Sequence, residues 1–184
     1  MTHNIVLVGM PASGKTTIGT LLAEKLDGYS LYDTDSIIEK TQGMTINEIF
    51  EKFSEDYFRK LEYDTIKMVC TGKNRIISIG GGSFENPDNR ATLLKFGKVF
   101  YLKSDLDILY YRISQDSTRP LLQRENPRQI LENMLKKIYF LFFFSFIRTH
   151  PFQSPHDPSP PSAWGIVPRH NPLKSNFGME STLK

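Results

Sequence analysis

A nine-residue segment near the start of the chain has the spacing of a phosphate-binding loop. Residues 9–17 read Gly-Met-Pro-Ala-Ser-Gly-Lys-Thr-Thr, which fits G-x-x-x-x-G-K-[ST]. The glycines permit a tight turn whose successive N–H groups face one concavity at a helix N-terminus, a setting that favours anions. Lys15 adds a mobile cation, and the Thr16 hydroxyl is a ligand that Mg²⁺ accepts. The segment therefore predicts nucleotide binding rather than a plain glycine-rich turn, and it leaves kinases, ATPases and GTPases open.

Two acids follow the second apolar run. Asp33 and Asp35 stand two residues apart in Tyr-Asp-Thr-Asp. At a strand terminus, one carboxylate can reach a magnesium–phosphate group while the other meets a polar substrate. The alternative is that Asp35 caps the helix that begins with Ser-Ile-Ile-Glu, but capping explains one acid and not the pair.

Two further segments carry groups that suit an anionic substrate. Arg59, within Phe-Arg-Lys-Leu-Glu, offers a two-pronged contact to a carboxylate, although a lone helical Arg is usually a solvated surface charge. Gly80, Gly81 and Gly82 directly follow an apolar run, where they allow a ligand to lie against bare backbone N–H groups. The alternative for the glycines is a flexible connector.

Short strands and intervening helices must position these residues. The strand candidates are residues 5–8, 30–32, 75–79 and 99–102. Helix starts are indicated by capping boxes at residues 45–48 and 104–107 and by Asn-Pro at 86–87 and 126–127. One apolar stripe from Ile46 to Leu61 predicts a long helix, closed by Gly72. The alternation predicts a doubly wound α/β sheet with ligands at the carboxyl ends of its strands.

Composition and charge exclude several classes of protein. The 184 residues suffice for one domain, and a formal net charge of +3 is too weak to indicate nucleic-acid binding. The single cysteine, Cys70, lies in a helical pattern and is expected to be a packed thiol, consistent with a reducing cytosol. No leader sequence or membrane-spanning run is recognised, so we expect a cytoplasmic protein without membrane contact.

The amino-acid composition of the chain changes after Lys137. Residues 138–147 include nine apolar or aromatic residues in ten, and residues 151–172 contain seven of the eleven prolines. This predicts a kinase-like domain over residues 1–137 and an aberrant tail over 138–184, apolar and then disordered. A natural extension, an unusual lid or partner-binding segment, and a frameshift or unspliced intron all fit. The sharp boundary favours the last.

The ordered set of motifs resembles the shikimate kinase family over residues 4–137. That family combines the phosphate loop with D-x-D, a helical F-R, a G-G-G and an R-P-L-L lid, and the lid motif stands here as Arg119-Pro-Leu-Leu122. The resemblance implies a three-layer α/β/α fold with a parallel sheet, like that of nucleoside monophosphate kinases. It also implies ATP-dependent phosphorylation of shikimate to 3-phosphoshikimate, on the route to the aromatic amino acids, by a monomer.

The resemblance also assigns roles to residues. The residues implied at ATP are Ala12, Ser13, Gly14, Lys15, Thr16, Thr17, Arg112 near the adenine, and Arg119. Mg²⁺ would be held by Thr16, and by Asp33 through water. Shikimate would be bound by Asp35, Arg59, Gly80, Gly81 and Gly82. Catalysis is assigned to Lys15, to Asp35 as the proton acceptor, and to Arg119, which arrives with a lid at about residues 115–126.

The chain departs from the family pattern after the last helix. The family continues there with R-x-P-L-Y, whose Arg is a second clamp on the substrate carboxylate, whereas Ile138 and Phe140 stand at the Arg and Pro positions. The last family strand and helix are not recognised. Two other functions stay open: another small-molecule kinase, such as a gluconate kinase, and an inactive nucleotide-binding module whose tail recruits a partner.

Overall fold

The computed structural model describes residues 4–115 and 126–149, with side chains in the last helix as far as Ser145. The strands are β1 (Asn4–Gly9), β2 (Ser30–Asp33), β3 (Arg75–Ser78) and β4 (Gly97–Leu102). The helices are α1 (Lys15–Lys25), α2 (Thr34–Gln42), α3 (Ile46–Lys52), α4 (Glu55–Cys70), α5 (Pro87–Phe96), α6 (Leu106–Ser114) and α7 (Pro127–Thr149). A 3-10 turn covers Ser83–Glu85.

The described strands form one parallel sheet in the order β2-β3-β1-β4. Residues 5–8 of the interior strand β1 are all apolar because helices cover both of its faces. Val6 and Val8 point into the core cluster shared with α4–α7. On the other face, Gly19 of α1 lies so close to Leu31 and Ile76 that an added Cβ would be 2.6 Å from Leu31. The predicted parallel α/β architecture is confirmed.

One predicted helix and one predicted helix cap are wrong. The stripe from Ile46 to Leu61 is not one helix, because α3 ends at Lys52 and α4 begins anew after Ser54. Ser54 caps α4 by accepting a hydrogen bond from the Tyr57 N–H at 3.2 Å, an N-cap that the apolar spacing concealed. The capping box at residues 104–107 does not form: Asp105 is the N-cap residue of α6, without a side-chain capping bond. The box at Thr45–Glu48 is confirmed.

Helix α7 continues well beyond the expected boundary at residue 137. Ile138 is fully buried in the main core, and Leu141 and Phe142 pack against that core. Phe142 stacks on Tyr101 of β4 with ring centroids 5.3 Å apart. The change in composition at Lys137 is therefore not a break in secondary structure, and residues 138–149 continue the helix. The proline-rich segment lies outside the described residues.

Cys70 is a packed thiol, as expected. Its side chain is buried in the core, and burial raises the pKa of the thiol to about 11. Among the helices of residues 4–115 and 126–149, none has the length and hydrophobicity needed to span a bilayer.

Candidate active site

The predicted phosphate loop joins β1 to α1 and has the backbone that its glycines require. Gly14, the N-cap of α1, has φ +91°, a left-handed conformation that favours glycine. Gly9 has no room for a side chain, since an added Cβ would stand 2.9 Å from the Leu102 carbonyl oxygen. Ala12 also has a positive φ, +61°, which is uncommon for a residue with a side chain. The loop is therefore fixed in shape before a ligand binds.

Lys15 reaches back over this loop from the first turn of α1. Its Nζ donates to the carbonyl oxygens of Gly9 at 3.0 Å and Met10 at 2.9 Å. These two carbonyl acceptors hold the ammonium group over the concavity. An incoming phosphate would meet a preplaced cation.

Asp33 joins the phosphate loop to the end of β2. The Thr16 hydroxyl donates to Asp33 Oδ2 at 2.8 Å, and the Ser36 N–H donates to Asp33 Oδ1 at 3.2 Å. Asp33 is thus the N-cap of α2. The alternative in which Asp35 is the cap is wrong, because Asp35 lies inside the first turn. Both acids are left on the side of the cleft that faces the phosphate loop.

Asp35 sits where several acids crowd together. Burial, the largest cause, and the carboxylates of Asp33 and Glu62 raise the pKa of Asp35 from 3.8 to about 6. The positive charge of Lys15 opposes this rise. A carboxyl group with a pKa close to neutrality is suited to accept a proton from a substrate hydroxyl.

Arg59 projects from α4 and is held by two carboxylates. Its Nη2 lies 3.0 Å from Glu55 Oε1, and its Nη1 lies 3.1 Å from Oε2 of the buried Glu62. Glu62 also accepts a hydrogen bond from the Ser83 hydroxyl at 2.5 Å. Partial burial opposes the charge of Arg59, but the two carboxylates outweigh it and raise the pKa of the guanidinium above its ordinary value. Arg59 is therefore an oriented group and not a solvated surface charge.

The three glycines connect the two sides of the cleft. A Cβ at Gly80 would lie 2.7 Å from Asp35 Oδ1, and one at Gly82 would lie 3.3 Å from Arg59 Nη1. A Cβ at Gly81 would lie 2.9 Å from the ring of Pro11 in the phosphate loop. The segment is a close-packed wall rather than a flexible connector.

One cleft of about 640 Å³ brings most of the predicted residues together. It is lined by residues 11–18 of the phosphate loop and α1, by Asp33, Asp35, Gly81 and Arg112, and by three neighbouring residues. Arg112 of α6 donates to the Ala12 carbonyl oxygen at 3.1 Å. Arg59, Gly80 and Gly82 are not among the residues that line the cleft. Gly80 lies against Asp35, which does line it, and Arg59 lies against Gly82, the neighbour of the lining residue Gly81. Arg119 and the predicted lid fall largely on residues 116–125, outside the described residues.

Comparison with known proteins assigns the family. The family model for shikimate kinase matches residues 11–151. The chain belongs to the shikimate kinase family. It is 42% identical to the shikimate kinase of Thermodesulfovibrio yellowstonii over 73% of this chain and 77% of that protein. It is 39% identical to the shikimate kinase of Rhizobium leguminosarum bv. trifolii over 76% of this chain and 71% of that protein.

Solved structures of shikimate kinases share the fold. The Acinetobacter baumannii enzyme in complex with shikimate superposes with a TM-score of 0.74 at 39% identity, covering 79% of this chain and 80% of that one. The Aquifex aeolicus shikimate kinase superposes with a TM-score of 0.67 at 31% identity, covering 77% of this chain and 82% of that one. The chain is thus a P-loop phosphotransferase whose co-substrate is ATP.

In this member of the shikimate kinase family, sequence reasoning missed the groups that support Arg59. Glu62 and Glu55 flank Arg59 at three and four residues along α4, the spacing at which helical side chains meet. That spacing could have predicted both ion pairs from the sequence. The bond from Ser83 to Glu62 had no signal, because it joins elements 21 residues apart.

Proposed function

We propose that this chain transfers the γ-phosphoryl group of ATP to the 3-hydroxyl of shikimate and releases 3-phosphoshikimate. Family membership supports the reaction. The observation that carries the assignment to residues is the position of Asp35. It lies in one cleft with the phosphate loop, and its carboxylate is packed against Gly80, two residues from the glycine that borders Arg59.

The acceptor side of the proposed site consists of Asp35, Arg59 and the three glycines. Arg59 binds the carboxylate of the acid, and the Gly81 backbone N–H adds a second contact. Asp35 binds the ring hydroxyls and takes the proton from the hydroxyl that attacks. Its raised pKa supports this role, because the carboxylate is more basic than an ordinary aspartate and is still mostly unprotonated at neutral pH.

The donor side of the proposed site is the loop from Ala12 to Thr17. The backbone N–H groups of the loop hold the phosphates, and Lys15 neutralises the outer ones. Arg112 lies beside the adenine, in keeping with its bond to the Ala12 carbonyl. Arg119, carried by a lid, completes the charge around the transferring group and helps to exclude water.

The oxygens of Thr16 and Asp33 fit Mg²⁺. They are hard donors 2.8 Å apart at the phosphate side of the cleft, and Mg²⁺ is usually held by one or two side chains with phosphates and water completing its shell. Within the described residues no three His, Cys, Asp or Glu side chains gather into a metal cage. Thr16 and Asp33 would hold Mg²⁺ at this position, where the ion would supply positive charge against the charge that develops on the phosphates.

A coupled ADP-release assay with the purified full chain tests the proposal. We expect turnover with ATP, Mg²⁺ and shikimate, a product of the mass of a phosphoshikimate, and no turnover with gluconate. Lys15→Ala should abolish turnover while retaining the fold, and Lys25→Ala, at the exposed end of the same helix, serves as the matched control. Binding of ATP without turnover of shikimate would overturn the proposal in favour of an inactive nucleotide-binding module.

We further propose a cytoplasmic monomer. Every residue assigned to the reaction comes from one chain, and the buried, unpaired Cys70 is in keeping with a reducing compartment. We also propose that the kinase domain extends beyond residue 137 to include all of α7, since Ile138 belongs to its core.

A further inference from the structure

Thr34, between the two acids of the cleft, is a buried polar residue to which the proposed reaction assigns no role. Asp33 and Asp35 line the cleft, whereas Thr34 does not, and its side chain is fully buried. A hydroxyl group in such a position needs a hydrogen-bond partner. The Thr34 hydroxyl accepts a hydrogen bond from the Gly80 N–H at 3.2 Å. That bond joins the segment of the two acids to the first of the three glycines.

The bond lies where the pairing between β2 and β3 stops. The last pair of these strands is Asp33 with Ser78, because α2 begins at Thr34. The next N–H along β3, that of Ile79, turns to the other side and donates to a carbonyl oxygen of β1 at 3.3 Å. The Gly80 N–H therefore faces the end of β2, where the Thr34 side chain supplies the acceptor that a longer strand would have supplied.

Both backbone polar groups of Gly80 are committed within the protein. Its N–H donates to Thr34, and its carbonyl oxygen accepts a hydrogen bond from the Ser83 N–H at 3.1 Å. What Gly80 offers the site is its bare Cα, since an added Cβ would lie 2.7 Å from Asp35 Oδ1. The Asp35 carboxylate therefore rests against a glycine whose position is set by hydrogen bonds on both sides.

Two residues adjacent in sequence thus contact the same glycine. Thr34 reaches Gly80 through a hydrogen bond, and Asp35 reaches it through close packing. If Gly80 moved relative to Thr34, the space available to the Asp35 carboxylate would change with it. Such movements matter for a group that must meet a reacting hydroxyl, because a misplacement of about 1 Å can cost on the order of a hundredfold in rate.

We propose that Thr34 is a positioning residue, whose hydroxyl fixes Gly80 and thereby the orientation of the Asp35 carboxylate toward the acid substrate. The proposal rests on the proposed function, because it specifies what holds the proton acceptor of that reaction in place. It assigns this role to the hydroxyl group of Thr34 and not to its methyl group, which only fills buried space.

Steady-state kinetics of the purified full chain and its variants at position 34 test this assignment. Thr34→Val keeps the shape of the side chain but leaves the buried Gly80 N–H without its acceptor. We expect kcat with shikimate, per folded molecule, to fall about tenfold or more, with the KM for ATP unchanged. Thr34→Ser keeps the oxygen and should stay within about twofold of the parent.

Two further variants complete the series. Thr34→Ala removes both the oxygen and the methyl group and should resemble Thr34→Val in kcat, so comparison of the Ala and Ser variants still decides the matter if Thr34→Val does not fold. Thr92→Val is the matched control. The Thr92 hydroxyl donates to the Asp88 carbonyl oxygen at 2.9 Å within α5, a helix that does not line the cleft, so this variant should keep the kinetics of the parent.

The order of the Val and Ser variants separates positioning from mere support of the fold. If Thr34 only fills the core, Thr34→Ser should lower the melting temperature at least as much as Thr34→Val, and kcat per folded molecule should be unchanged in every variant. That result overturns the proposal. A kcat that falls equally in Thr34→Ser and Thr34→Val overturns it as well, because the oxygen would then make no difference.

Hydrogen exchange at the Gly80 amide gives a readout that does not depend on turnover. This amide should be protected in the parent and in Thr34→Ser, and it should exchange about tenfold faster or more in Thr34→Val and Thr34→Ala. Equal protection in all four proteins would show that Thr34 does not hold the glycine. Absence of shikimate turnover by the parent would instead count against the proposed function, so the two failures are distinguishable.

Discussion

The Thr16 hydroxyl donates a hydrogen bond to Asp33 Oδ2 across 2.8 Å and so ties the first turn of α1 to the end of β2. The other oxygen of the same carboxylate caps α2 through the Ser36 N–H. One side chain therefore serves both the stability of a helix and the proposed metal position. Substitutions can separate these two roles.

Asp33→Asn should keep the cap and lose the metal function. Asn caps helices about as well as Asp, so the free energy of unfolding should stay close to that of the parent, while the Mg²⁺ concentration needed for half-maximal activity should rise severalfold. Asp33→Ala should lose both, with about 1 kcal/mol of stability removed. Denaturant unfolding and Mg²⁺ titrations measure the two effects. Equal stability losses in Asn and Ala would show that Asp33 does not act as the cap.

The pKa of Asp35 predicts the acid limb of the activity profile. Because the base must be unprotonated, kcat/KM for the acid substrate should fall as pH drops below about 6. Asp33→Asn removes one of the carboxylates that raise this pKa, so its acid limb should move to lower pH, provided that Mg²⁺ is saturating. A limb that moves to higher pH, or not at all, would contradict the assignment.

The same pKa shift predicts an effect on stability of known sign. The folded state prefers protonated Asp35, so this group's contribution to stability is fully present below about pH 4 and is lost as pH rises through about 6. Asp35→Asn should therefore be more stable than the parent at pH 7.5, by on the order of 1–2 kcal/mol, with the difference vanishing near pH 4. Unfolding curves at both pH values measure this, and turnover by the variant should be abolished.

The glycine wall predicts a graded series. Gly80→Ala places a methyl group within 2.7 Å of Asp35 Oδ1 and 3.0 Å of Ser83 Oγ, so we expect at least a tenfold loss in kcat/KM from displacement of the carboxylate. Gly82→Ala meets the end of the flexible Arg59 side chain at 3.3 Å and should be milder. Neither glycine has a positive φ, so backbone strain does not enter the comparison. Reversal of the order would contradict the packing described.

Two nearby residues of helix α7 should differ sharply in their contribution to stability. Ile138→Ala removes a fully buried side chain and should cost about 2–4 kcal/mol of unfolding free energy. Phe140→Ala removes a ring that is 62% exposed and should change stability by less than about 0.5 kcal/mol. Hydrogen exchange should also show protection of the amides through Ser145. Equal, small effects would indicate that the kinase core ends before residue 138.

The features that were predictable from sequence depend on local chemistry. The turn at Gly14 was predictable because its left-handed backbone conformation favours glycine. The start of α5 was predictable from the Asn86 cap and the proline that follows it. The split between α3 and α4 was obscured because the apolar spacing runs on across Ser54. The choice between Asp33 and Asp35 as the helix cap could not be made from sequence, because both are aspartates and either could accept the capping hydrogen bond.

Other features depend on contacts between distant parts of the chain. The burial of Ile138 is set by packing against a core assembled from β1, β3, α4 and α6, and a run of aromatic residues gives no indication of which of them faces that core. The environment of Asp35 requires the carboxylate of Glu62, 27 residues away, to arrive by folding. Periodicity within a segment carries no information on such pairs.

The contact between Gly81 and the ring of Pro11 has a consequence for engineering. A Cβ at position 81 would stand 2.9 Å from Pro11 Cδ, so the phosphate loop and the glycine segment proposed to hold the acid are shaped against each other. Chimeras that import one of these loops from another kinase should lose activity unless the matching loop is transplanted with it. Recombination between relatives should therefore succeed more often at crossover points that keep residues 9–17 and 80–83 from the same parent.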